Sequence, residues 1–119
     1  MQYSKKLSYP QRTFSAIFGS DLLELLLIER YEQEAVKITD EFLEKFINDL
    51  HQIDHDKDVT LISTIIDMIY KKGLTRQDVI KQTGIDQEIV FYHHAFVLRR
   101  MRRPSICKPY RENIISLLN

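Results

Sequence analysis

The chain has 119 residues, 44% of them apolar and 29% charged, with 17 Lys and Arg against 17 Asp and Glu. That composition argues against disorder, and the length suffices for one modest core and two small helical subdomains. No apolar run approaches the roughly twenty residues of a membrane span, no leader-like stretch opens the chain, and the one cysteine, Cys107, has no internal disulfide partner. The expected setting is the cytoplasm.

Residues 1–18 carry Tyr3, Tyr9, Pro10, Phe14 and Phe18 and read as an aromatic arm packed on the body or on a partner. The next predicted helix, 21–37, follows Gly19 or Ser20. Its Leu22, Leu23, Leu25, Leu26, Leu27 and Ile28 cover nearly the whole circumference. A helix apolar all round is either central to a core or shared with another chain. Leu25 and Leu26 are therefore candidate partner-binding residues, for a homodimer or a partner subunit.

Thr39 and Asp40 signal a further helix start. Phe42, Leu43, Phe46, Ile47, Leu50 and Ile53 then recur at helical spacing. Residues 54–58 are polar and break the helix. His51 and His55 stand one turn apart beside Asp54, Asp56 and Asp58, a spacing that can hold a divalent cation. With no Cys or third His nearby, no metal site is assigned. A second apolar stripe, Leu61, Ile62, Ile65, Ile66 and Ile69, ends at 70–73.

The stretch that follows carries the functional signal. Thr75 and Asp78 have capping-box spacing for a short helix to Thr83. Gly84 can turn left-handed past the helix end. Asp86 caps a second helix, which runs through Arg99, Arg100, Arg102 and Arg103 to Pro104. Two helices joined by a tight turn that begins with Gly form a helix-turn-helix unit. After Ser105 a linker containing Pro109 leads to a last predicted helix, 110–118.

The interval between Gly84 and Pro104 separates candidate families. In phage-repressor-like proteins the Arg-Pro-Ser punctuation comes about four residues sooner, which requires an inserted helical turn. Leu74, Thr75, Val79, Gly84, Ile85, Glu88, Val90, Ala95, Leu98, the Arg-rich run with Met101, Pro104 and Ser105 fall without a gap on another pattern. In this register the C-terminal forty-odd residues resemble region four of bacterial sigma factors, the promoter-reading subunits of RNA polymerase. Leu117 and Leu118 fall where that family often ends in Leu or Phe.

The resemblance implies a helix-turn-helix that docks on the flexible flap of the polymerase β subunit and meets double-stranded promoter DNA. The base-reading positions depart from the family. Glu88 is retained, Gln87 replaces an Arg, and Phe91 and Tyr92 replace the next Arg and Gln. Gln can read adenine, but Phe91 and Tyr92 are poor readers of base edges. Asp86 and Glu88 also bring negative charge to the end that would approach phosphates. Phe91 and Tyr92 are accordingly partner-binding candidates. Thr75, Arg76, Gln87, Glu88, Arg99, Arg100, Arg102 and Arg103 are the DNA-binding candidates, the last four as phosphate contacts.

Zero net charge conceals an asymmetry. Residues 1–70 carry 7 basic and 13 acidic residues, and residues 71–119 carry 10 and 4. Either the second half meets a polyanion or the halves neutralise each other across an interface. His93 and His94 are adjacent, so they point to different helix faces. There is no Gly-rich phosphate loop or nucleophile elbow, and no His–acid pair stands near Cys107. No catalytic residue or cofactor is assigned, and the chain is not read as an enzyme.

The expected fold class is all-α, a small helical bundle of an acidic helical region, 1–58, and a sigma region-four-like helix-turn-helix domain, 59–119. The leading functional expectation is a transcription regulator or partial sigma-like factor acting at RNA polymerase. The alternatives are a stand-alone dimeric helix-turn-helix repressor and a protein-binding adaptor on the same scaffold.

Overall fold

The computed structural model describes residues 6–19, 21–53 and 58–118. The sequence readings on Tyr3, Ser20 and 54–57, and on the side chain of Ile53, lie outside them. The described residues are all-helical. Seven α-helices run in the order α1 (Tyr9–Phe18), α2 (Leu22–Arg30), α3 (Glu32–Ile53), α4 (Val59–Ile66), α5 (Arg76–Thr83), α6 (Gln87–Met101) and α7 (Pro104–Ile115). A π-helical extension, Asp67–Lys71, continues α4, and a 3-10 turn, Ser116–Leu118, ends α7.

The expected aromatic arm is helix α1. Ser8 and Gln11 close a capping box at its start, and Gly19, with φ +92°, ends it. Phe14 is fully buried, and Gln11 Nε2 donates to the carbonyl of Leu25 at 2.8 Å. Arg12 fixes α1 to the far end of the π-helical extension. Its Nε and Nη2 donate to the carbonyl of Tyr70 at 3.1 and 2.8 Å, and Nη2 also donates to that of Lys71 at 3.0 Å. Those carbonyls belong to the last turn, where cationic donors are favoured. Gly73 has φ +73°, and a Cβ there would meet the Arg12 guanidinium at 2.9 Å, so two constraints select glycine at this bend.

The predicted helix 21–37 is two helices. The backbone breaks at Tyr31 (φ −113°, ψ 47°) and α3 begins at the next residue. The break reorients the leucine-rich segment: Leu25, Leu27 and Ile28 enter the core, while Leu23 is 77% and Leu26 44% exposed. The predicted start at Thr39 and Asp40 lies inside α3. Thr39 is buried there, with its hydroxyl 2.8 Å from the Tyr110 hydroxyl. Pro109 likewise lies inside α7, not in a linker, and Pro104 opens that helix directly after α6. Pro104 near the N-terminus forfeits only an unpaired N–H, and Pro109 removes the one bond that would close on Ser105.

Two apolar clusters form. The larger draws Phe14, Ile28, Leu43 and Phe46 from before residue 58, and Ile62, Ile66, Val97, Met101, Tyr110 and Ile114 from after it. Each such buried side chain contributes about 1.5–3 kcal/mol. The smaller cluster joins Leu61 and Ile65 of α4, Met68 of the extension, Val79 of α5 and Val90 of α6. The 1–58 and 59–119 segments therefore share one core, and ion pairs between Lys71 and Asp40 and between Arg111 and Glu24 also link them.

Candidate functional site

The smaller cluster sets the geometry of α5 and α6. Thr75 Oγ1 accepts from the amide of Asp78 at 3.1 Å, and the Asp78 carboxylate accepts from the amide of Thr75 at 3.0 Å. That backbone bond holds the Asp78 carboxyl below its usual range. Gly84 ends α5 in the left-handed region (φ 72°, ψ 9°), and residues 84–86 turn the chain into α6. Asp86 holds the N-cap position, as the sequence implied, but its side chain makes no capping hydrogen bond. Val79 and Val90 are buried with Leu61 and Ile65 in this cluster, and α6 packs against both α4 and α5.

Gln87 and Glu88 are exposed at the start of α6. Glu88, Tyr92, Ala95 and Arg99 are all exposed and recur every three to four residues, which makes them one outward stripe. Beside it Ile89 is 43% exposed, within a helical turn of Tyr92, which is 53% exposed. Phe91 is half-buried against the smaller cluster, with the exposed Arg76 guanidinium 4.6 Å from its ring centroid. Thr75 is likewise occupied by its cap. Val90 and Phe96, apolar on the same helix, belong to the core. The outer face of α6 thus presents Gln87, Glu88, Ile89 and Tyr92 over its first two turns, with Arg99 as its basic residue further along.

The four arginines do not make one patch. Arg99 continues the outward stripe of α6. Arg102 reaches back to α1, donating through Nε and Nη2 to the carbonyl of Ala16 at 3.0 and 2.8 Å. Arg100 and Arg103 turn toward α3, lining a cleft between it and α7. The structure separates residues that sequence proximity had grouped, because a helix end radiates neighbouring side chains in different directions. On α2, Leu25 is 1% exposed and is no surface residue, whereas Leu23, absent from the sequence-based candidates, stands outside with Leu26.

His93 and His94 separate as their adjacency required. His93 Nδ1 lies 2.8 Å from the carbonyl of Ile89 within α6. His94 is 9% exposed, and its Nε2 lies 3.1 Å from the Tyr70 hydroxyl, while Nδ1 is buried without a hydrogen-bond partner. Burial, with Arg76 and Arg102 adding positive charge, pushes its pKa down to about 4, so the ring is neutral at pH 7. Burial also raises the Tyr70 phenol above its ordinary range. Cys107 is buried, with Sγ 3.8 Å from the carbonyl of Arg102. Among the described residues no group of three or more His, Cys, Asp or Glu side chains converges, and no helix is long and apolar enough to cross a membrane.

Comparison of the chain with models of known protein families, with curated proteins and with solved structures finds no match. The functional reading therefore rests on the geometry of α4, α5 and α6 and on what their outer surface offers.

Proposed function

We propose that the chain is a transcription regulator that acts at bacterial RNA polymerase, with α5 and α6 used as a helix-turn-helix that docks on protein. The sigma region-four resemblance suggests the flap of the polymerase β subunit as the docking point. The observation that carries this reading is the exposure of Ile89 and Tyr92 beside Asp86 and Glu88 on the first turns of α6. A base-reading helix needs hydrogen-bonding and basic side chains at those positions. Solvent-facing apolar side chains ringed by polar ones suit a protein partner instead.

The DNA-binding repressor is the second reading, and Arg99 and Gln87 on the exposed side of α6 favour it. Affinity capture of the tagged chain from bacterial extract, with and without nuclease, divides the two. Copurification with RNA polymerase that survives nuclease supports the flap reading. Capture that nuclease abolishes, together with duplex binding that falls steeply with salt, supports the repressor.

A further inference from the structure

Between α3 and α7 lies a cleft of about 460 Å³, within the range of roughly 300–1,000 Å³ typical of small-molecule sites. Its apolar wall includes Phe42, Phe46 and Ile106. The Phe42 ring is stacked on Tyr110 at 4.3 Å and 10°, and the Tyr110 hydroxyl is tied to Thr39, so this wall is fixed by contacts within the fold. Arg100 and Arg103 complete the lining. Lys45 adds a third cation to the lining, and of the two acids that share it, Asp49 is paired with Lys45 at 2.7 Å and Glu41 is exposed to solvent. The ion pairs among the described residues leave both guanidiniums without a carboxylate.

We propose that this cleft binds a small amphiphilic carboxylate, with its apolar body against Phe42, Phe46 and Ile106 and its head group on Arg100 and Arg103. Two guanidiniums in one lining beside an aromatic wall suit a planar anion with two oxygens, which can accept forked hydrogen bonds from them. Arg100 is half-buried, with its guanidinium carbon 6.0 Å from the Phe96 ring centroid, so part of its side-chain freedom is already lost before any ligand arrives. A duplex phosphate carries the charge but nothing to cover the aromatic wall. A neutral lipid tail covers the wall and leaves the charge unmet.

The test uses decanoate against decanol, which has the same tail without the charge, titrated into the full chain and followed by amide chemical shifts. Decanoate is expected to perturb the amides of residues 38–50 and 103–113 and to bind about tenfold or more tightly than decanol. Arg100→Gln combined with Arg103→Gln is expected to weaken decanoate about tenfold and to leave decanol unchanged. Equal binding of the two probes, insensitivity of decanoate to the double substitution, or perturbations centred on Leu23 and Leu26 would overturn the proposal. So would a cleft that ignores decanoate and takes up an acidic amphipathic peptide or a second copy of the chain.

Discussion

Tyr110 joins three helices, and its hydroxyl permits a quantitative test of the packing that positions everything else. The ring is 2% exposed, stacked on Phe42, and 6.0 Å from the Phe14 centroid, with its hydroxyl 2.8 Å from Thr39 Oγ1. Burial keeps the phenol protonated far above its ordinary range. Tyr110→Phe keeps the stack and removes only the hydrogen bond, leaving a buried Thr39 hydroxyl unsatisfied. The expected loss is about 1–2 kcal/mol. Thr39→Val leaves the phenol unsatisfied instead and is expected to cost about 1–3 kcal/mol. The double variant strands neither group, so its loss should fall short of the sum by about 1–2 kcal/mol. Urea unfolding followed by circular dichroism measures all three. Additive losses, or a Tyr110→Phe variant as stable as the parent, would refute the buried hydrogen bond and with it the seating of α7 on α3.

Three further outcomes follow from other contacts. Arg12→Met keeps the stem but strips the donors from the carbonyls of Tyr70 and Lys71; a loss of about 2–3 kcal/mol in urea unfolding is expected, and no loss would detach α1 from the bend before α5. Gly73→Ala is expected to cost about 1–2 kcal/mol by the same assay, because φ is +73° and the Arg12 guanidinium occupies the space of a Cβ. His94 has a folded pKa near 4 against an ordinary 6.5, so its unfolded form binds the proton first as pH falls. Its contribution is complete above about pH 6.5 and is lost progressively toward about pH 4, by roughly 2–3 kcal/mol. Comparing the stability of the parent and His94→Leu across that window isolates the effect, and parallel curves would exclude it.

The elements legible in the sequence were those whose signals are local. Thr75 and Asp78 close their box within four residues, Gly84 takes the left-handed region that its missing side chain allows, and α6 runs unbroken to Met101. What could not be read depends on distant partners. Thr39 looks like a helix start until Tyr110, 71 positions away, supplies a buried partner that keeps it inside α3. The break at Tyr31 has no proline or glycine to announce it, and the side chain is partly buried against the main core. The arginine run was visible, but its division among the face of α6, the Ala16 carbonyl and the cleft was not, since the acceptor for Arg102 lies 86 residues earlier. Neither the unpaired His94 Nδ1 nor the anchoring role of Arg12 carries any local mark.

The role proposed for α6 is tested most directly by titrating purified RNA polymerase with the chain and with its Ile89→Glu, Tyr92→Glu double variant. Both side chains face solvent, so the variant should fold with an unchanged circular dichroism spectrum. The parent is expected to bind with a micromolar or tighter Kd, and the variant about tenfold or more weakly. Equal binding by the two proteins, or no binding by either, would contradict a polymerase-docking role for this face.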